Sequence, residues 1–558
     1  MENRTYLHLT PETCKNCYKC IRHCPVKAIR FANHQAEIEP TSCILCGECY
    51  RVCPQRAKKI DNQIPKIKKL LTQSKVIVSL APSYLANYPD TSFSQLRFAL
   101  QKLGFFDVFE TADAAKHVAN SYHMQMMEQQ NRTLISTSCP GVNSLIRKYY
   151  PSLLPLLSQI PSPMNVHARF IKENHPDTSV VFIGPCIAKL QEADEFGLVD
   201  YAITFSQLSD WLKEEDITLQ SSDFDNDLRM KSSVFAVSGG ILETLPALPK
   251  PYLTLKYDGI ESVISILEDL LKQPLKGVFL ELSTCLGSCI NGPGMTTPHN
   301  QLLINSSSIR RKILSTLTHE MSNYSIVPQQ YSNQSTKKNK PSERIIQEIL
   351  KKMGKRAPTD LLNCGSCGYS TCKEKAIALY EGKADLTMCL PFLKEKAESF
   401  ADSIVTNSPN AIIVLNNKLE IQLMNQAAKD LFHLKKMDDF VHRSIEALIS
   451  PDTYQEVFRL KKGKDTSLTY FPEYDKYVEQ TILYDRQYEI CTLLLKDQTS
   501  ILQSRNQKKA IQQETIDIAN NVIKKQMRTV QEIASLLGET TAETKVALTK
   551  LKDLLNDE

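Results

Sequence analysis

The stretch ELSTCLGSCINGPG, residues 281–294, decides how the chain is read. Its two cysteines, Cys285 and Cys289, come after the apolar run GVFLEL and before a Gly-Pro-Gly turn. On a helical turn, positions four apart face the same way, so the spacing predicts two thiolates gripping one metal centre. An iron–sulfur cubane takes four ligands, so two more are needed. RTLISTSC ends in Cys139 and VVFIGPC ends in Cys186. Each is a short apolar, β-branched run with a cysteine at its carboxyl end. Buried parallel strands read as such runs, and open α/β sheets place ligands beyond the carboxyl ends of their strands. The competing reading is three unrelated buried cysteines, since free cysteine is among the most buried residue types.

With 558 residues the chain is too long for one core, and about three to five domains are expected. Hydrophobic content of 42% and charged content of 23% are those of a globular protein. A net charge of +5 is small for this length and makes no case for nucleic acid. The apolar segment from Tyr149 to Ile160 is short and broken by Pro151 and Pro155, so no membrane span is expected. The opening MENRTYLHLT lacks an apolar signal core, which predicts a cytoplasmic protein. In that reducing compartment seventeen cysteines argue for metal rather than disulfides.

Eight of the cysteines crowd the start. Cys14, Cys17, Cys20 and Cys24-Pro25 follow the C-x2-C-x2-C-x3-C-P spacing, and Cys43, Cys46, Cys49 and Cys53-Pro54 repeat it. This is the two-cluster bacterial ferredoxin pattern, in which each fourth cysteine serves the other cluster. Cys14, Cys17, Cys20 and Cys53 are expected to hold one cubane, and Cys43, Cys46, Cys49 and Cys24 the second. Zinc is the competing occupant, though it prefers two separated cysteine pairs. Two cubanes make a one-electron relay. The basic stretch from Lys58 to Lys69 reads as a solvated linker. From residue 75 to 330, strand-like runs such as KVIVSLAPS alternate with helical patterns such as FSQLRFALQKLGF, which predicts parallel α/β structure.

The motifs STSCPG, FIGPCIAK and STCLGSCINGPG, in that order, resemble the three cysteine motifs of the iron-only (FeFe) hydrogenases, over about residues 75 to 310. The resemblance implies that Cys139, Cys186, Cys285 and Cys289 hold the cubane of an H-cluster. It implies that Cys289 bridges to a diiron centre carrying carbon monoxide and cyanide. Ala81-Pro82-Ser83 resembles the family's turn beside one cyanide, and Lys189 its lysine beside the other. The chain also departs from the catalytic members. Ser138 stands where they carry a second cysteine, the proton donor, and a hydroxyl is a far weaker acid than a thiol of pKa about 8.5. Gly184 and Ser283 replace methionines, which predicts a roomier, more polar diiron pocket. The family's upstream glutamates have no clear match; Glu110 and Asp113 are the nearest candidates. Ligands kept with acid–base machinery altered resemble the sensory or regulatory members.

Gln329–Glu343 is polar and reads as a linker. Cys364, Cys367, Cys372 and Cys389 follow, with Gly365 and Gly368 allowing a tight loop. They resemble a small 4Fe–4S domain of electron-transport and corrinoid proteins; a zinc ribbon is the competing reading. DSIVTNSPNAIIVLNNKLEIQLMNQAAKDLF resembles the start of a PAS domain, and TSLTYF, KYVEQTILY and YEICTLLLKDQT are expected as later strands. His433, His442 and Cys491 are its candidate ligand binders, against ordinary core or surface roles. In the tail, Ile516, Ile523, Val530, Leu537, Thr544 and Leu551 fall on one heptad position, and Ala519, Gln526, Ile533, Thr540, Ala547 and Leu554 on another. The pattern predicts a coiled coil, with a docked amphipathic helix as the alternative.

The expected architecture is multidomain α/β. It comprises a ferredoxin-like two-cluster domain (1–62), an α/β H-cluster domain (70–328), a linker (329–345) and a small 4Fe–4S domain (346–398). An α+β PAS domain (400–500) and a coiled-coil signalling helix (501–558) complete it. Expected cofactors are three 4Fe–4S clusters and an H-cluster. Expected partners are hydrogen gas and protons, a ferredoxin-like redox protein, a separate kinase or phosphatase, and a second copy of the chain. The function expected first is a sensory hydrogenase of low turnover. A working ferredoxin-linked hydrogenase and a non-enzymatic iron–sulfur redox sensor lacking the diiron centre are the alternatives.

Overall fold

The structure is a computed structural model that describes residues 4–32, 35–129, 131–219, 230–246, 252–297, 301–314, 324–336, 341–434, 440–537 and 541–554. It divides into two compact units, Met1–Leu393 and Lys394–Glu558.

The first unit opens with two short cysteine-bearing helices, Lys19–His23 and Glu48–Arg51, and a hairpin of Ile29–Ala32 with Gln35–Ile38. The strand Leu7–Leu9 pairs antiparallel with Lys58–Ile60, closing this module end to end. The run from Lys58 to Lys69 is therefore not a solvated linker. Lys58 is buried and its Nζ donates to the Ala36 carbonyl at 3.1 Å. The helix Ile64–Leu71 buries Ile64 and Ile67 and leaves its lysines outward. The charge run hid an amphipathic helix, because a three-residue apolar spacing is enough to seat one short helix.

The parallel α/β expectation is met by two sheets rather than one. The larger has the strand order Asp107–Glu110, Lys75–Leu80, Thr178–Gly184, Tyr201–Thr204. The smaller has the order Leu253–Asp258, Val278–Ser283, Leu134–Ile135. Every pairing in both is parallel. Their β-branched runs are buried, as Val76, Ile77 and Val78 are, because helices cover the faces. Capping boxes start two of those helices, Ser92 with Gln95 and Thr204 with Gln207, satisfying amides the first turn leaves open.

The expected linker from 329 is fastened over its first half. Gln329 N bonds Gln159 O at 2.7 Å, Arg147 Nε donates to Ser332 O at 3.1 Å, and Gln334 N bonds Arg147 O at 3.0 Å. Residues 337–340 of that stretch lie outside the described residues. The helices Glu343–Lys352 and Cys372–Tyr380 then pack through Ile346, Leu350, Met353 and Ala376.

The helix Leu390–Asn407 leads to a five-stranded antiparallel sheet. Its order is Ile421–Met424, Ala411–Leu415, Ile490–Asp497, Lys476–Asp485, Lys464–Phe471. Cys491 belongs to its core, while His433 and His442 are exposed, so the three are not one ligand set. Helices Thr499–Leu537 and Thr541–Leu554 end the chain. Along the first, Ile516, Ala519, Ile523 and Val530 are partly covered and Ile533 is exposed. Thr540 of the heptad pattern lies outside the described residues. Among the described residues no helix is long and apolar enough to cross a membrane.

Candidate iron–sulfur and diiron site

Both sheets contribute to one place. Cys186 follows the strand Thr178–Gly184 of the larger sheet; Cys139 and Cys285 follow strands of the smaller one. Cys139 immediately precedes the helix Pro140–Tyr149, whose amino end favours a thiolate. Cys285 and Cys289 do not share a helical turn. Ser288 N bonds Cys285 O at 2.9 Å, and Gly287 and Ser288 take φ of +79° and +66°. That left-handed backbone breaks any helix between the two cysteines, and only Ser288–Asn291 forms a 3₁₀ turn. The Gly-Pro-Gly that follows lies against the second motif. Gly294 N bonds Pro185 O at 2.8 Å, and a β carbon on Gly292 would stand 2.7 Å from the same oxygen.

The four sulfurs act on one another. Burial pushes Cys186 up to about 12, and the charges of Cys139 and Cys289 add to it. Burial, then Cys186, Cys139 and Cys289, hold Cys285 well above its ordinary value. Cys289 is raised by burial to about 11, yet it keeps accessible surface. A sulfur walled in by protein but not packed against it suits a ligand facing a cage. Among the described residues no three His, Cys, Asp or Glu side chains close to single-ion spacing; a cubane spreads its ligands around something wider than one ion.

The second-motif lysine fits an anionic group. Lys189 is 9% exposed, its charge lowers the pKa of both Cys186 and Cys289, and its Nζ stands 2.6 Å from Glu192 Oε2. That is an ion pair without hydrogen-bond geometry, so the ammonium has donors to give. Ser83 is fully buried and its Oγ has no partner, which also suits an acceptor brought by the bound group. Ala81 is buried and Pro82 partly so. The expected extra room is not found at Gly184. A β carbon there would meet the Phe182 ring at 2.7 Å and Ala81 Cβ at 3.0 Å, so the aromatic ring occupies the space. Ser283 Oγ turns to the Cys285 carbonyl at 3.4 Å.

Ser138 Oγ lies 3.2 Å from the hydroxyl of Tyr122, a buried tyrosine that also accepts the Thr137 amide at 3.0 Å. Burial raises the Tyr122 pKa, so it adds no ready acid. Glu110 accepts from Tyr84 at 2.6 Å, and Asp113 from Tyr324 at 2.9 Å. Glu281 was missed. Its oxygens accept the amides of Gly239 at 2.9 Å and Leu242 at 3.1 Å, and burial raises it to about 7. Within an apolar strand run a single carboxylate gives no spacing signal.

In the amino-terminal module Cys24, Cys43, Cys46 and Cys49 act on one another, and Cys14 and Cys17 act on Cys20. Cys53 Sγ accepts the Ala57 amide at 3.3 Å. Buried Lys58 faces both groups, lowering Cys20, Cys43 and Cys49. Next to Cys46, a β carbon on Gly47 would meet Pro293 at 2.5 Å, so this module presses on the third motif, and Cys46 acts on Cys285. Cys364, Cys367, Cys372 and Cys389 line one small hollow. Beside it Lys375 is fully buried, with Nζ donating to Leu386 O at 3.2 Å. A buried ammonium needs anionic company; here Cys389, Cys367, Asp385 and Cys372 supply it. Lysines in charge runs read as solvated, so sequence reasoning passed over Lys58 and Lys375.

Residues 74–254 match the C-terminal domain of the iron-only hydrogenase large subunit, and residues 7–68 match a 4Fe-4S dicluster domain. Residues 361–391 match a putative Fe-S cluster domain and 399–470 the PAS fold. Iron hydrogenase 1 of Clostridium pasteurianum is 26% identical over 305 residues, which are 43% of this chain and 53% of that protein. The periplasmic Fe hydrogenase large subunit of Nitratidesulfovibrio vulgaris is 29% identical over 279 residues, 43% of this chain and 66% of that one. A cytosolic Fe-S cluster assembly factor NAR1 homolog of Schizosaccharomyces japonicus is 28% identical over 185 residues, 30% and 33% of the two chains. The chain thus spans about half of the first of these relatives and a third of the assembly factor. An apo FeFe-hydrogenase of Chlamydomonas reinhardtii aligns with a TM-score of 0.38 at 17% identity, covering 50% of this chain and all of that one. Along the chain the matches thus run from a 4Fe-4S dicluster domain through the C-terminal domain of the iron-only hydrogenase large subunit and a putative Fe-S cluster to the PAS fold.

Proposed function

We propose that this protein is a sensory FeFe hydrogenase that binds hydrogen gas, splits it slowly and reports the outcome through its PAS domain. Cys139, Cys186, Cys285 and Cys289 would hold the H-cluster. When bound, that group supplies hydrogen binding and one-electron chemistry. Lys189 Nζ and Ser83 Oγ, both buried without a hydrogen-bond partner, would donate to its anionic ligands. The cubanes that the cysteines of the amino-terminal module would hold would pass electrons one at a time to or from a ferredoxin-like partner. A separate kinase or phosphatase reads the tail, which joins two copies, and the protein works in the cytoplasm.

One observation supports the sensory reading: the Ser138 hydroxyl, at the position where the resemblance implies a proton donor, lies 3.2 Å from the hydroxyl of Tyr122. A positioned acid with a pKa near the working pH is worth about 10²- to 10⁴-fold in rate. Ser138 holds its proton too tightly to serve, so a bound state persists long enough to be read. The test is infrared spectroscopy of matured protein, followed by initial rates of hydrogen evolution from a reduced dye. Carbon monoxide and cyanide bands are expected, with Ser138→Cys faster than wild type at equal diiron loading. Equal rates would leave the working hydrogenase as the better reading. The remaining reading is an iron–sulfur redox sensor without the diiron centre. Absent bands after maturation would leave that one standing.

A further inference from the structure

The turn that carries Cys24 grips the loop that carries Cys367. Arg22 Nε and Nη2 donate to the carbonyls of Gly365 and Ser366, each at 3.2 Å. Lys27 Nζ donates to the carbonyls of Ile21, Arg22 and Gly368 at 3.1, 3.0 and 3.1 Å. Phe31 N bonds Lys383 O at 2.7 Å, so backbone joins backbone as well. The approach is close: Gly368 has φ +92°, and a β carbon there would stand 3.0 Å from Ile21 Cγ2. Tyr369 fills the remaining space, its hydroxyl buried and without a hydrogen-bond partner. Both Cys24 and Cys367 act on Tyr369, and the same two sulfurs act on Lys27.

A cleft of about 1010 Å³ separates Thr284 and Leu286 of the central motif from Ser370 and Glu374, and Cys24, Lys27 and Tyr369 line its edge. Electron tunnelling falls off far more steeply across solvent than through bonded and packed protein. The bonded route from Cys367 therefore runs through the Arg22 and Lys27 hydrogen bonds to the Cys24 turn, and from the Cys24 set through the contact of Gly47 with Pro293 to the Cys285 motif.

We propose that the site closed by Cys24, Cys43, Cys46 and Cys49 is a junction. It exchanges single electrons with the central site on its Cys46 side and with the third site across Lys27 and Tyr369. This rests on the cluster content proposed above. Each exchange moves one electron: one cubane is oxidised as its neighbour is reduced, and no bond is made or broken. Lys27, lying between both sets, favours the extra electron on either and so raises both potentials. The third site ends at Cys389, and the helix leading to the PAS domain starts at the next residue, Leu390. The junction thus gives the sensor module a branch off the relay instead of a place at its end.

The test is a redox titration with dithionite, followed by electron paramagnetic resonance, on the anaerobically loaded full chain. Lys27→Gln is expected to move two cubane signals together to more negative potential, while Lys27→Arg leaves both in place. Arg22→Ala, which frees Gly365 and Ser366 and keeps the charge of Lys27, is expected to weaken the spin–spin broadening between the same two signals. A loaded Lys27→Gln protein in which one signal or none moves overturns the junction. An iron content one cubane short, with zinc at the third set, overturns both the junction and the cluster content beneath it. Full loading with unmoved signals overturns the junction alone.

Discussion

Cys285 and Cys364 are the same kind of ligand in opposite surroundings. Burial and four other thiols hold the pKa of Cys285 well above the usual thiol value. Cys364 is exposed, its sulfur 2.8 Å from Ser366 Oγ, and that hydrogen bond pulls its pKa down. A metal ligand must lose its proton to bind. The third set therefore offers iron one thiol, Cys364, that gives up its proton more readily than usual, although burial raises its neighbour Cys367, whereas burial raises Cys186, Cys285 and Cys289 of the central set. Burial slows entry at the centre and slows loss equally, so the central site is hard to fill and hard to strip. The third site exchanges more easily, as a reporter at the edge of the unit should.

The comparison breaks most sharply if the two sites are not independent. Cys186→Ala is expected to abolish the carbon monoxide and cyanide bands altogether. Cys372→Ala is expected to remove one cubane's iron and leave the bands intact. Infrared spectra with iron analysis on both variants check this, and lost bands in Cys372→Ala would merge the two sites into one assembly. Next in size is Lys375→Met, which keeps the bulk and removes the cation from beside Cys389, Cys367 and Cys372. Losing one partner of a buried charge pair costs about 3–5 kcal/mol, enough to empty the third site of iron while the central one stays loaded. Retained iron would show that this lysine is only structural.

A chelator added to fully loaded protein should bleach the third set roughly tenfold or more faster than the central one, since access and thiolate character set such rates. Equal bleaching rates would erase the contrast. The smallest effect is expected at Glu281. Its folded pKa of about 7 lies above the ordinary 4.5, so the folded protein keeps a proton that the unfolded chain releases. The stability it contributes is full below about pH 4.5 and is lost as pH rises through 7. Thermal midpoints should fall between about pH 4.5 and 7, and Glu281→Gln should flatten that slope. An unchanged slope would place the titrating group elsewhere.

Ligand chemistry was legible because it is written as spacing. The cysteine sets and the β-branched runs before Cys139, Cys186 and Cys285 carry their meaning in adjacent residues. What folding alone brings together was not legible. One strand run reads like another, so nothing in LISTSC or VVFIGPC says that they belong to different sheets. The polar stretch after Gln329 reads as a tether, yet Tyr331 stacks against Arg147 at 5.7 Å and its hydroxyl accepts from Asn143. Lys27, Lys58 and Lys375 look solvated in sequence, because part of what accommodates each arrives from another segment: the Gly368 carbonyl for Lys27, the Ala36 carbonyl for Lys58 and Cys389 for Lys375. Ser138 was legible as a substitution, but its partner Tyr122, on the helix Ala112–Glu128, was not.

Gly47 against Pro293 and Ile21 against Gly368 also bear on the order in which the molecule is made. A chain emerges from the ribosome amino end first, and domains tend to fold as they appear. The cysteine-rich module is synthesised well before both surfaces it must meet. It waits through most of translation with two faces uncovered and with sulfurs open to solvent and oxidant. Its hairpin closure, Leu7–Leu9 on Lys58–Ile60, lets it hold a shape during that wait without either partner. Biogenesis, more than finished stability, then explains why the first sixty residues bring their own sheet.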